Sequence, residues 1–519
     1  MSGFPTMAKC WQVGSGVSGF LSAQAYLTPD EVFLEDRHGN VLTYSATAEM
    51  AKRFAGYLQS KGMKRGDRVA IHLQNRVELV VALFATAMLG GIYVVLHSKL
   101  RSTGLAKILE QAEARVIVLD EVTHSNLDAA SGGLIPVIVG RDGDEAVGYD
   151  SWEDAISRPP LEEEWNGCDV DAACLVFTSG STGAPRGVTL SHDNIRYVVG
   201  AIQERLGYRS GDTIGVFLPL AFDYGLYQIF LAAQSGAKLY LGDPDQVGPR
   251  LPQIMRAAGI SVLPGVPSVY AALIALGRRR PLDLPSLRAI TNTGERLPLS
   301  YIREMQAMFP GLDVFVMYGL TECKRVSILL PAEWETHPDS VGRALAGTEV
   351  YAVDPGGNRL PPGEVGELVV RGRHVAHGYW RAPEESAKRF RKRAPECAVE
   401  LFTGDSGSVD ADGFLYFSAR SDDLLKHRGN RISPLEIEME ACGLEGVVEA
   451  SLLKRESDDT LHLFLTISDE AMGVDTILRA LSETLEPAKV PEYVFILDGM
   501  PKSLNGKIDR KDLAARVGD

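Results

Sequence analysis

The chain has 519 residues, 45% of them hydrophobic and 23% charged, values that exclude a disordered, collagen-like or disulfide-scaffold description of the whole. Its 53 Lys and Arg against 68 Asp and Glu give a net charge of −15, which argues against nucleic acid as a partner, since such binders present basic surfaces. The six cysteines form no CxxC pair and read as free thiols of a reducing, cytoplasmic compartment, and the first twenty residues lack the basic start and apolar block of a secretory signal.

Apolar β-rich runs alternate with helix-period segments along the chain. Residues 49–61 predict a helix and 69–73 a short buried strand. Residues 79–96 (LVVALFATAMLGGIYVVL) carry no charge over a length that could span a membrane. Gly90-Gly91 divides them, however, so they read as buried helix, stop and buried strand rather than as a membrane segment. Residues 105–114 predict another helix, and 116–119 and 175–177 further strands. This alternation predicts an α/β fold with largely parallel sheets. Residues 161–173 form an acidic, turn-rich connection. The basic runs 278–280 (RRR) and 389–393 (RFRKR) read as solvated faces. At 410–413 a hairpin turn precedes the apolar run 414–417, and a compact segment of different texture follows. The expected division is 1–421 and 422–519.

The sharpest local signal is 175–192, LVFTSGSTGAPRGVTLSH. An apolar strand runs into a loop whose glycines, Gly180, Gly183 and Gly187, let backbone N–H groups approach an anion. Thr178, Ser179, Ser181 and Thr182 add hydroxyl donors, and Arg186 adds a fixed positive charge. An acidic protein that binds polyphosphate needs such local donors. The loop departs from GxxxxGK[ST], because Pro185 stands where the second glycine would be.

This segment resembles the signature loop [YF]TSG[ST]TGxPKG of the adenylate-forming superfamily, which includes acyl-CoA synthetases, amino-acid adenylation domains and luciferases. Arg186 replaces the usual Lys. Further segments resemble that family's motifs in the same order. Residues 317–322, MYGLTE, match YGxTE, implying that Tyr318 and Gly319 lie at the adenine, Thr321 at the α-phosphate and Glu322 at Mg²⁺. Gly294-Glu295 matches the segment beside adenine. Thr403-Gly404-Asp405 matches the TGD motif, implying that Asp405 accepts the ribose hydroxyls. Arg420 matches a nucleotide contact, Asp422 the hinge, and Gly429 the loop that lines a thiol tunnel. Residues 501–507, PKSLNGK, resemble the C-terminal motif, with Lys507 at the catalytic lysine. The resemblance implies a large N-terminal domain of packed mixed and parallel sheets with a β subdomain, and a small mobile α+β C-terminal domain. It implies ATP and Mg²⁺ as cofactors and a two-step reaction: acyl-AMP formation, then transfer to a thiol.

The segment 219–228, PLAFDYGLYQ, bears on the acid. Amino-acid adenylation domains carry FDxS here, and Asp223 matches the aspartate that binds the substrate ammonium; an N-terminal helix cap is the other reading of Asp223. The family's pocket positions fall near Asp223, Tyr224, Tyr227, Asn292, Met317, Arg325 and Val326. Arg325 could meet a second acidic group or pair structurally. These residues favour an amino acid or another small amino-bearing acid. With twelve residues after Lys507, the expected acceptor comes in trans: the phosphopantetheine thiol of a discrete carrier protein, with coenzyme A as the alternative. An amide-forming ligase and a non-catalytic nucleotide-binding homologue are further alternatives. No membrane association is expected.

Overall fold

The computed structural model describes residues 16–127, 133–140, 148–179, 185–392, 398–420, 425–427, 430–444, 446–455, 457–467, 473–503 and 507–517. Gly180, Ser181, Thr182, Gly183, Asp422 and Gly429, all singled out above, lie outside them.

Two large sheets organise the N-terminal part. A seven-stranded sheet runs, in spatial order, Asp150–Ser151, Ile135–Val139, Ala114–Asp120, Arg68–His72, Ile92–Val95, Ala172–Ser179 and Pro185–Ser191. Its neighbours are parallel except the last pair. A nine-stranded sheet is parallel through Asp313–Tyr318, Ala289–Asn292, Val262–Gly265, Thr213–Val216, Lys238–Leu241 and Val32–Asp36, with antiparallel strands at both ends. Parallel strands need crossover helices, which cover both faces, so the strands read as continuous apolar runs.

The uncharged stretch resolves as expected. A helix spans Val77–Met88, Gly90 turns with φ +73°, and a strand spans Ile92–Val95. A Cβ at Gly90 would lie 2.5 Å from the Trp165 ring, so glycine is required there for both φ and space. Every residue of that helix except Glu78 is buried. Among the described residues no helix is long and apolar enough to cross a membrane.

An antiparallel sheet follows, built on Glu349–Val353, Gly366–Arg371, Glu400–Val409 and Leu415–Arg420, with Phe390–Arg391 at an edge. The C-terminal part has a three-stranded sheet, Val447–Arg455, Thr460–Ile467 and Tyr493–Ile496. Helices Pro434–Gly443 and Val474–Thr484 pack on it through a cluster of its own that includes Ile437, Leu463, Leu465, Ile477 and Leu481. The Tyr301 hydroxyl donates to the Val448 carbonyl, and the Ser300 hydroxyl donates to the Cys442 carbonyl at 3.4 Å. These bonds join the small part to the Leu299–Met308 helix.

Candidate active site

Among the described candidates, Asn292 and Tyr318 end neighbouring parallel strands, where open α/β sheets leave a crevice. The strands on either side of the signature loop pair with each other. Ala172–Ser179 pairs antiparallel with Pro185–Ser191, and Thr178 stands opposite Arg186. A Cβ at Gly187 would approach the Phe177 ring to 3.0 Å. The Arg186 guanidinium lies over the Tyr379 ring, 5.6 Å from its centroid, and its Nη2 is 3.1 Å from the Glu385 carboxylate.

Tyr379 links this arginine to the YGLTE segment. Its hydroxyl donates to Glu322 Oε1 at 2.7 Å, and Arg389 Nη1 donates to the same oxygen at 2.8 Å. Arg389 opens the RFRKR run that reads in sequence as a solvated face. Its guanidinium instead donates to the carbonyls of Phe402 and Thr403 as well as to Glu322. The reason is its place at the end of the Pro383–Arg389 helix, which aims it inward at a buried carboxylate.

Tyr318 ends the Asp313–Tyr318 strand, and its hydroxyl donates to Asp405 Oδ2 at 2.6 Å. Arg420 Nε donates to the other oxygen at 3.2 Å. Burial pushes the Asp405 carboxyl above the usual range, and Arg420 and Tyr318 oppose that shift.

The loop after Tyr318 is tight. Val326 N–H donates to the Tyr318 carbonyl at 2.9 Å, and Lys324 N–H to the Leu320 carbonyl at 2.7 Å. Lys324 takes φ +64°, a left-handed conformation that costs a non-glycine residue about 1–3 kcal/mol. A Cβ at Gly319 would lie 2.2 Å from the Lys324 carbonyl oxygen, so Gly319 is what lets the loop close. This loop carries Glu322 to Tyr379 and Arg389, Lys324 to Asp223 and Arg325 to Thr293.

Asp223 begins the Asp223–Ser235 helix, where a carboxylate is favoured by the helix dipole. The structure also supplies its buried partner, which sequence reasoning missed. Lys324 Nζ lies 3.4 Å from Asp223 Oδ2 and 4.4 Å from the Tyr227 ring centroid. Arg325 lies over the Tyr224 ring, and its Nη1 donates to the Thr293 hydroxyl. Lys324 and Arg325 are 3% and 2% exposed. Burial pulls the Lys324 ammonium down to about 7, opposed by Asp223. The available signal was the pair Lys324-Arg325 inside the apolar context MYGLTECKRVSILL.

Among the described residues, several buried polar atoms here have no hydrogen-bond partner: Arg325 Nε, the Tyr227 hydroxyl, and both side-chain polar atoms of Asn292. Unpaired buried polar groups in a folded protein call for an explanation, and an absent ligand is one. The remaining pocket candidates behave differently. The Tyr224 hydroxyl is bonded to Thr291, while Met317 and Val326 are apolar members of the cores.

Lys507 comes to the same crevice from the far end of the chain. Its Nζ donates to the Gly294 carbonyl at 3.0 Å and sits 5.8 Å from the Phe222 ring centroid. Gly294 has φ +88°, and a Cβ there would lie 3.4 Å from Lys507 Cε. Glu295 is partly buried, which raises its carboxyl, with Lys507 opposing. Among the described residues no group of three or more His, Cys, Asp or Glu could hold a metal ion. Glu322 offers one hard carboxylate, a donor set that suits Mg²⁺ shared with phosphates and water.

Comparison with known proteins gives the family and the fold. Residues 21–380 match the family model described as AMP-binding enzyme. The chain is 28% identical over 493 residues to an L-proline–[L-prolyl-carrier protein] ligase of Pseudomonas fluorescens, covering 92% of this chain and 95% of that protein. Other curated relatives are far longer: the chain spans 8% of one synthase and 14% of another. The fold is that of an anthranilate CoA ligase, AuaEII, solved with anthranoyl-AMP, at a TM-score of 0.89 over 98% of this chain and 99% of that one, with 24% identity. VinN, solved in complex with L-aspartate, is 32% identical with a TM-score of 0.68, covering 78% of this chain and 98% of VinN.

Proposed function

The chain belongs to the AMP-binding enzyme family, and from that premise we propose that it activates a small amino-bearing dicarboxylic acid as its acyl-adenylate. One carboxylate of the acid attacks the α-phosphorus of ATP, and pyrophosphate leaves. The acyl group then passes to the phosphopantetheine thiol of a carrier protein supplied in trans, with AMP as the leaving group.

One observation carries the choice of acid. Two buried cations, Lys324 and Arg325, accompany one carboxylate, Asp223, beside the unpartnered polar atoms of Arg325, Tyr227 and Asn292. A buried charge left uncompensated is costly. A substrate carboxylate would offset the surplus positive charge, and a neighbouring ammonium would share Asp223. The acid's second carboxylate is then free to reach Lys507. The likeness to VinN, whose solved complex holds L-aspartate, supports the same class. The carrier-protein acceptor rests on the likeness to the prolyl-carrier ligase over nearly its whole length, with coenzyme A as the alternative.

The chemistry needs positioning and charge neutralisation rather than covalent help from the protein. Lys507, held between Gly294 and Phe222, neutralises the attacking carboxylate and the α-phosphate. Arg186 and Thr178 receive the departing phosphates. Thr321 faces the α-phosphate, and Asp405, oriented by Tyr318 and Arg420, accepts ribose hydroxyls. Glu322 would hold Mg²⁺, which when bound supplies further neutralisation of the phosphates.

The test is pyrophosphate exchange with L-aspartate, 3-aminopropanoate and succinate. Hydrogen bonds to charged groups contribute about 1.5–3 kcal/mol, so each analogue lacking one polar group should exchange at least about tenfold less efficiently. Exchange that favours an aromatic or fatty monocarboxylic acid would overturn the proposal.

A further inference from the structure

The Pro383–Arg389 helix has seven residues, PEESAKR. Glu385 and Arg389 are four apart and so share a face. That face meets the candidate phosphate site at two points. Glu385 Oε2 lies 3.1 Å from Arg186 Nη2, and Arg389 Nη1 donates to Glu322 Oε1 at 2.8 Å.

The two ends differ in how they are held. Arg389 is anchored, because its Nε and Nη2 donate to the carbonyls of Phe402 and Thr403. Glu385 has a side chain 34% exposed and also meets Lys388, one turn away. It can therefore leave Arg186 and remain solvated and paired. Arg186, resting on the Tyr379 ring, keeps its place when Glu385 leaves. Its several N–H donors let it hold a carboxylate on one edge and still offer another edge, which a lysine at this position would do less well.

We infer that Glu385 is an internal competitor for Arg186, standing in for the terminal phosphates when the nucleotide is absent. This rests on the reading of Arg186 as a phosphate ligand. The arriving triphosphate displaces the Glu385 carboxylate from Arg186. After adenylate formation Glu385 retakes Arg186 and so helps to discharge pyrophosphate. Glu385 is thus a positioning residue that acts through Arg186.

The test measures binding of inorganic pyrophosphate to the full chain by titration calorimetry, and its release by stopped flow. A partly exposed ion pair contributes about 0.2–1 kcal/mol, so Glu385→Gln should tighten pyrophosphate binding by about 1.4-fold to fivefold and slow its release by a similar factor. In an Arg186→Gln background the same change should have no effect. The inference is overturned if Glu385→Gln weakens binding or leaves it unchanged, or if it tightens binding equally in the Arg186→Gln background. Arg186→Gln alone reports on the underlying reading: it should weaken pyrophosphate binding, and if it does not, the phosphate role of Arg186 is what fails.

Discussion

Lys324 shows how one side chain can set both selectivity and pH response. Burial pulls its ammonium down to about 7, with Asp223 resisting and Arg325 reinforcing the shift. An ammonium that receives a substrate carboxylate must be protonated, so affinity for the diacid should fall as pH rises through about 7. Lys324→Met should raise KM for the diacid by roughly tenfold or more, with nucleotide binding unchanged, because a charged hydrogen bond is lost. It should also remove the pH dependence near 7; steady-state exchange kinetics between pH 6 and 9 would show both effects. The same lysine bears on stability. Its folded pKa lies below the unfolded value of 10.5, so between about 7 and 10.5 the unfolded chain binds more protons than the folded one. Through this group stability rises with pH across that window and is reduced below it. Asp223 was legible in the sequence because FDxS-like spacing marks it; its partner Lys324, a hundred residues away, was not.

At the scale of the element, the strand–loop–strand from Asp313 to Leu329 joins the two halves of the site. The strands Asp313–Tyr318 and Ser327–Leu329 run antiparallel to each other, with Ile328 opposite Met317 and Ser327 opposite Tyr318. The loop between them carries Glu322 and Lys324 only because Gly319 leaves room for the Lys324 carbonyl. Gly319→Ala forces backbone against backbone and should move both residues. A displacement of about 1 Å can cost about a hundredfold in rate, so exchange should fall by about that factor with every acid tested, where Lys324→Met affects the diacid alone. Comparing the two variants on the diacid and on 3-aminopropanoate checks this. The sequence pattern indicated the YGLTE element and its chemistry, whereas the left-handed turn at Lys324 is imposed by the hairpin that closes around it.

At the scale of the whole molecule, the site is assembled from residues far apart in the chain. Arg186, in the strand Pro185–Ser191, meets Tyr379, and Lys507 meets Gly294. The C-terminal part has its own core, and among the described residues the bonds that tie it to the rest include the one from Tyr301 to Val448. The resemblance implies a body that changes pose between adenylate formation and thiol transfer, with the hinge at Asp422. Lys507→Ala should lower adenylate formation by about 10²–10³ while ATP still binds, because the other nucleotide contacts proposed above lie on the large part. Single-turnover adenylate formation beside a nucleotide-binding measurement separates the two quantities.

The order of short motifs, the alternation of apolar runs and the residue types in the loops were enough by themselves to determine the α/β class and the family. Those signals are local, since a strand's apolar run or a glycine turn is written in neighbouring residues. The pairing of Asp223 with Lys324, the inward turn of Arg389 and the hold of Glu385 on Arg186 were decided by the tertiary structure. Their partners are distant in the chain, and the worth of a charge depends on burial and on what faces it, which folding alone sets.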